Sequence, residues 1–132
     1  MANRKRDDMK RILVVDDNPS ILEAIDLILT SENYIVKTLA RGDGIMTKVL
    51  GFNPHAIILD LLLSGLNGKD IIFELRKEKK TKKIPIIMIS AHPSAESVAV
   101  RAGADDFLPK PFDINHLLSV IKKHIKKVQY KI

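Results

Sequence analysis

The sequence predicts an α/β fold in which helices cover both faces of a parallel β-sheet. Short apolar runs rich in β-branched residues, typical of strands buried on both sides, alternate with segments whose apolar residues recur every three or four positions. Five such strand–helix pairs follow one another over 132 residues, a length typical of one domain. Because this alternation favours right-handed βαβ units, we expect a doubly wound sheet of five parallel strands with five helices.

The strands are predicted from apolar runs that each lead to a polar residue. They are residues 12–15, 34–39, 55–59, 84–89 and 106–108. Pro85 lies near the start of the fourth run, where a missing N–H is tolerated.

The helices are predicted from apolar periodicity and from residues that favour helix ends. Asn18 is expected to cap the first helix, residues 19–31. The second helix is expected over residues 42–50, with Gly51 as its C-cap. The third is expected over residues 68–79 and the fourth over residues 94–102, before Gly103. Asp113 is expected to cap the last helix.

Composition excludes several classes of protein. The chain has no cysteine, which excludes disulfide frameworks, thiol nucleophiles and Cys-ligated metals. No apolar run reaches the roughly 18–20 residues that span a membrane. The basic N-terminus lacks the apolar core of a signal peptide. We therefore expect a cytoplasmic protein without a membrane span.

The net charge of +6 is unevenly distributed. Residues 1–11, 76–83 and 122–132 carry +3, +5 and +5, which leaves −7 for the rest of the chain. The acidic body argues against a domain that binds nucleic acid as a whole. We interpret the basic segments mainly as solvated faces and tails, with contact to an acidic partner, nucleic acid or membrane as the alternatives.

Polar side chains follow four of the predicted strands. Asp16 and Asp17 follow the first, Asp60 the third, Ser90 the fourth and Lys110 the fifth. Because ligands of such sheets bind beyond the carboxyl ends of the strands, we expect one shared cleft. Three carboxylates imply a cation, and a set of oxygen ligands favours Mg²⁺. Since Mg²⁺ usually binds phosphate as well, we expect a phosphoryl group as the missing partner.

Four motifs at these strand ends resemble receiver domains of bacterial two-component response regulators, which have a CheY-like, flavodoxin-like fold. The motifs are Val14-Val15-Asp16-Asp17-Asn18, Asp60-Leu61-Leu62-Leu63-Ser64-Gly65-Leu66-Asn67-Gly68, Ser90-Ala91 and Lys110-Pro111-Phe112. The resemblance implies the strand order 2-1-3-4-5. It divides the chain into a basic tail over residues 1–9, a receiver domain over residues 10–128 and a C-terminal tail over residues 129–132.

The resemblance implies a phosphoacceptor switch, and not an enzyme. Asp60 would accept a phosphoryl group from a histidine kinase or a phosphotransfer protein. Asp17, Asp60 and the backbone carbonyl of Leu62 would bind Mg²⁺ directly and Asp16 chiefly through water, with Mn²⁺ as a substitute. Lys110 would contact the phosphoryl oxygens.

The resemblance also implies how the switch works. The Ser90 hydroxyl would move to the phosphoryl group, and Phe107 would swing inward and rearrange the face of the fourth helix, fifth strand and fifth helix. The Lys110–Pro111 bond is expected to be cis. Leu62 and His92 occupy positions that tune hydrolysis in the family, and because Leu62 cannot position a water molecule we expect slow autodephosphorylation.

One position in the loop after Asp60 departs from the pattern of the receiver family. Ser64 replaces the family's usual proline, so its loop is expected to be less rigid. His55, His92, His116 and His124 are interpreted as surface or helix-face residues and not as metal ligands.

Several functions stay open on the sequence alone. One is a stand-alone switch without an output domain that acts on a downstream protein partner, with or without phosphorylation-linked homodimerisation. Another is a receiver excised from a larger regulator or hybrid kinase. A third is a protein- or nucleic-acid-interaction module that has kept the fold but lost the switch. An α/β phosphatase or nucleotide-binding enzyme is disfavoured because no Gly-rich phosphate loop follows the first strand.

Overall fold

The computed structural model describes residues 8–63 and 66–125, and these ranges contain seven strands and five helices. The strands are β1 (Arg11–Val15), β2 (Ile35–Leu39), β3 (Ala56–Asp60), β4 (Leu62–Leu63), β5 (Leu66–Asn67), β6 (Ile86–Ser90) and β7 (Asp106–Pro109). The helices are α1 (Pro19–Ser31), α2 (Ile45–Phe52), α3 (Gly68–Lys77), α4 (Ala95–Ala102) and α5 (Ile114–Ile125).

The central sheet is parallel throughout and has the order β2-β1-β3-β6-β7. Numbered among themselves, its strands follow the predicted order 2-1-3-4-5, so the structure confirms the doubly wound fold. The remaining two strands, β4 and β5, form a small antiparallel hairpin directly after β3. This hairpin is not predicted from the sequence.

The core has two halves, one on each face of the sheet. Successive residues of β1 alternate between them: Leu13 and Val15 pack with α2, α3 and α4, and Ile12 and Val14 pack with α1 and α5. All four side chains are fully buried. This double coverage explains why the strand sequence is continuously apolar.

Most predicted helix ends are confirmed. The Asn18 side chain accepts hydrogen bonds from the first turn of α1, and Gly103 ends α4 in the left-handed region with a φ of 101°. The predicted C-cap at Gly51 is wrong, because α2 continues through that residue. Asn53 adopts the left-handed conformation instead, with a φ of 53°, and Pro54 follows it.

Parts of the prediction lie outside the described residues. These are residues 1–7 of the basic tail, Ser64 and Gly65, residues 126–128 at the end of the predicted receiver domain, and the C-terminal tail over residues 129–132. Among the described residues, no helix combines the length and apolar character needed to cross a bilayer.

His55 fixes the start of β1. Its Nδ1 accepts a hydrogen bond from the backbone N–H of Arg11 at 2.9 Å, and the Arg11 guanidinium donates to the carbonyls of Phe52 and Asn53 at the end of α2. Partial burial, followed by the charges of Arg11 and Lys10, lowers the pKa of His55. Protonation of the ring would oppose these positive charges and remove the acceptor.

We expect the free energy of unfolding to decrease as the pH falls below about 6.5, the ordinary pKa of histidine. The unfolded chain takes up this proton first, so the contribution of His55 is present above that pH and is lost as the pH falls through the lowered pKa of the folded state. His55→Asn keeps an acceptor oxygen near the position of Nδ1 but does not titrate. Urea unfolding between about pH 8 and pH 5 should show a shallower pH dependence for this variant, by at most about 1.4 kcal/mol per pH unit. An identical slope in the two proteins would contradict the assignment.

Candidate functional site

The polar residues predicted to share a cleft do meet at the carboxyl edge of the sheet. Asp16 directly follows β1, Asp60 ends β3, Ser90 ends β6 and Lys110 directly follows β7. The parallel register aligns these ends, because Asp60 pairs with Ile89 and so brings the end of β3 beside that of β6. The sheet alone therefore assembles side chains that are up to 94 residues apart.

Three carboxylates form the centre of this site. Asp16, Asp17 and Asp60 each offer an oxygen, and the three oxygens lie within 4.8 Å of one another. Asp16 is fully buried and Asp60 is only 6% exposed, whereas Asp17 faces solvent. An oxygen-only donor set with one solvent-facing member fits a hard divalent cation that keeps part of its water shell, as Mg²⁺ does.

Lys110 provides the positive charge within the protein. Its Nζ lies 2.7 Å from Oδ2 of Asp16 and 3.4 Å from Oδ2 of Asp60. Backbone N–H groups reach the opposite oxygens, from Asn18 to Oδ1 of Asp16 at 2.9 Å and from Leu62 to Oδ1 of Asp60 at 3.4 Å. Burial and the neighbouring Asp16 nevertheless raise the pKa of Asp60, and Lys110 with the Leu62 N–H only partly opposes this shift.

Ser90 joins the ends of the last two strands of the sheet. Its buried hydroxyl oxygen accepts the backbone N–H of His92 at 3.0 Å, and its carbonyl accepts the backbone N–H of Lys110 at 2.9 Å. The Lys110–Pro111 peptide bond is cis, as expected.

The structure also places the residues predicted to act in switching and hydrolysis. Phe107 is half-buried on β7 and packs against the core half that contains α4. Leu62 is 58% exposed beside Asp60. His92 is exposed, and its Nδ1 accepts the backbone N–H of Ser94 at 3.2 Å. The roles of these side chains stay predictions.

Gly68 belongs to the site, and its role is not predicted from the sequence. Its N–H donates to the carbonyl of Leu61 at 2.8 Å. This hydrogen bond joins the start of α3 to the residue that follows β3. A Cβ at this position would lie 2.7 Å from the carbonyl oxygen of Asp60 and 3.0 Å from Cα of Leu61. Only glycine allows this approach without a backbone shift. The sequence signal was the glycine at the start of α3, but its spacing to Asp60 does not reveal the contact.

Comparison with known proteins agrees with this geometry. The model of the response regulator receiver domain family matches residues 12–122. The chain belongs to this family.

Individual relatives extend the comparison. The response regulator ArlR of Staphylococcus aureus is 38% identical over 125 residues, which cover 93% of this chain and 56% of that protein. The chain spans about half the length of the curated relatives it matches. A response regulator of Chloroflexus aurantiacus superimposes with a TM-score of 0.85 at 31% identity, covering 89% of this chain and 98% of that structure.

A further solved structure concerns the metal. It is the receiver domain of the sensor histidine kinase PA1611 of Pseudomonas aeruginosa, with a TM-score of 0.83 and 28% identity, covering 89% of this chain and 98% of its own. That protein carries a magnesium ion in its active-site cleft. Receiver domains typically bind Mg²⁺ at an acidic pocket, and they interact with histidine kinases.

We expect Gly68→Ala to destabilise the domain by about 1–3 kcal/mol, because the new methyl group would overlap backbone atoms that cannot move independently. Gly51→Ala is the matched control. Gly51 lies within α2, and a Cβ there would meet nothing within 4 Å. The control should be stabilised by about 0.5–1 kcal/mol. Urea unfolding measures both variants, and equal effects of the same sign would contradict the close approach of Gly68.

Proposed function

We propose that this receiver domain is the phosphoacceptor of a two-component phosphorelay, with Asp60 as the residue that is phosphorylated. The observation that carries the proposal is the placement of Lys110 between two buried carboxylates, beside a third that faces solvent. In this arrangement the nucleophile Asp60 has an ammonium group at 3.4 Å and two further carboxylates close enough to share a metal ion with it. The domain is not itself an enzyme in this proposal.

The transfer exchanges one bond to phosphorus for another. A carboxylate oxygen of Asp60 attacks the phosphorus of a phosphohistidine on a histidine kinase or phosphotransfer protein. The new O–P bond forms as the N–P bond breaks, and the imidazole leaves with the electron pair of that bond. Bound Mg²⁺ would supply charge that offsets the phosphoryl oxygens, and Asp16, Asp17, Asp60 and the carbonyl of Leu62 would hold it, with Mn²⁺ as a substitute.

Lys110 and Ser90 respond to the new charge. Lys110 now lies nearer to Asp16 than to Asp60, and a phosphoryl group of about −2 on Asp60 would draw its ammonium across. The Ser90 oxygen already accepts an N–H, so its own hydrogen is available to donate to a phosphoryl oxygen.

The signal leaves the site through β7. A shift of Ser90 at the end of β6 changes the space beside Phe107 on the neighbouring strand, and the face formed by α4, β7 and α5 rearranges. Phe107 has no hydroxyl group, so this face is read by packing alone. The reader is a downstream protein partner, an output domain of a longer protein, or a second copy of the chain.

Phosphorylation is expected to require both Asp60 and a divalent cation. Incubation with acetyl phosphate and Mg²⁺ should add the mass of one phosphoryl group to the intact protein, and removal of the metal with EDTA should abolish the addition. Amide NMR shifts should change at Asp60, Ser90, Phe107 and along α5.

Asp60→Asn is the control for this experiment. It keeps the size of the side chain but removes the nucleophilic oxygen, so the mass should stay unchanged. Equal phosphoryl incorporation into this variant, or a silent spectrum of the unaltered protein, would favour an interaction module that has lost the switch.

Phospho-Asp60 is expected to be long-lived because the exposed Leu62 offers no polar group to orient water. Leu62→Asn introduces such a group, and one added hydrogen bond of about 1.4 kcal/mol in the transition state corresponds to about tenfold faster hydrolysis. Leu50→Asn makes the same chemical change on α2, at a leucine that is 49% exposed, and should leave the lifetime unaltered. The loss of phosphoryl mass with time measures all three proteins. Fast decay in the unaltered protein that Leu62→Asn does not accelerate would contradict the role of Leu62.

A further inference from the structure

A lysine-rich turn lies at the edge of the sheet opposite to the acidic site. We call residues 77–83 the lysine turn; its cations are Lys77, Lys79, Lys80, Lys82 and Lys83. The turn joins the end of α3 to the start of β6, whereas Ser90 at the other end of β6 belongs to the acidic site. The two ends of this strand are about 13 Å apart, so the lysine turn and the acidic site are separated by at least that length.

The backbone of the lysine turn is held in place from within. Thr81, between two pairs of lysines, is 1% exposed, and its hydroxyl donates to the carbonyl of Leu75 at 2.6 Å. The N–H groups of Thr81 and Lys82 both donate to the carbonyl of Glu78. The buried threonine fixes the centre of the turn and leaves the flanking lysine side chains exposed.

Arg76 holds the carboxyl end of the same turn. Its guanidinium donates to the carbonyls of Lys82 at 2.9 Å and Ile84 at 2.8 Å, and it also reaches the carbonyl of Gly103 at 3.1 Å and Oδ2 of Asp105 at 2.6 Å. The lysines thus project from a preorganised backbone, which reduces the entropy lost when a ligand binds.

The lysine turn keeps a net charge of +4, five lysines against the exposed Glu78. No described carboxylate forms an ion pair with any of its five lysines. Another basic segment differs, because Lys122 pairs with Glu32 at 4.0 Å and Lys123 with Asp106 at 3.6 Å. A fixed cluster of like charges without internal partners favours an external polyanion.

We propose that the lysine turn binds the phosphate backbone of duplex nucleic acid, independently of base sequence. Residues 77–83 contain no aromatic or apolar side chain that could stack on a base or enter a bilayer. Leu50 borders Lys80 across a groove of about 370 Å³, but a single leucine is far less than the apolar face of a membrane-binding helix. Lysines act as point charges toward phosphate, and contacts to phosphate carry no sequence information.

The proposal goes beyond the phosphoacceptor function and does not rest on it. The lysine turn and Asp60 lie at opposite edges of the sheet, so a nucleic acid can bind without covering the acidic site. Asp60→Asn should therefore bind duplex as well as the unaltered protein does.

The test measures the fluorescence anisotropy of a short labelled DNA duplex as the full chain is added, between about 50 and 200 mM salt. The charge-removal variant carries Lys79→Gln, Lys80→Gln, Lys82→Gln and Lys83→Gln. If these lysines contact phosphates, the affinity should fall at least about tenfold at low salt, and the slope of log K against log salt should decrease by about 3 to 4.

A matched control removes the same number of charges from exposed positions outside the turn. It carries Lys37→Gln, Lys48→Gln, Lys69→Gln and Arg101→Gln. Its affinity should stay within about threefold of the unaltered protein, and urea unfolding should show that both variants are folded. Equal losses in the two variants would overturn the proposal, because net charge alone would then explain binding. Binding to vesicles that contain phosphatidylserine, without binding to duplex at low salt, would also overturn it.

Discussion

The ammonium group of Lys110 is the interaction on which the acidic site depends. Asp16 is fully buried and Asp60 nearly so, and a buried carboxylate without a counter-charge is strongly unfavourable. Lys110 compensates both, at 2.7 Å and 3.4 Å. Because β3 and β6 lie between β1 and β7 in the sheet, this contact joins strands that do not touch. The same cation therefore stabilises the site and fixes the outer strand relative to the centre of the domain.

The location of the site could be predicted from the sequence because a parallel sheet places all its carboxyl ends at one edge. The apolar runs before Asp16, Asp60 and Ser90 therefore sufficed to predict which residues lie at that edge. The hairpin of β4 and β5 could not be predicted, since two-residue strands show no periodicity. The end of α2 was misplaced because Gly51 and Asn53 can both adopt the left-handed conformation, and periodicity does not decide between them.

Two adjacent acids at the start of β7 show another limit of sequence reasoning. Asp105 accepts from Arg76 of α3 and from the backbone N–H of Ile86, whereas Asp106 faces α5 and lies 2.9 Å from Nε2 of His124. Burial tends to raise the pKa of Asp106, but His124 together with the Phe107 N–H and Lys123 holds it below the usual range. His124 was interpreted as a surface or helix-face residue, yet it is buried. The sequence shows none of these three partners, because each lies 18 or more residues away.

The contacts of Arg76 also restrain the carboxyl end of α4. Its guanidinium bonds to the carbonyl of Gly103, the residue that ends this helix. At the other end, the Ser94 side chain makes no capping hydrogen bond to α4. Burial of Ala95 and the hydrogen bond from its N–H to the carbonyl of His92 hold the amino terminus of α4 instead. The single side chain that orders the lysine turn therefore also ties the carboxyl end of α4 to α3, so that the turn before β6 and the end of α4 share one anchor.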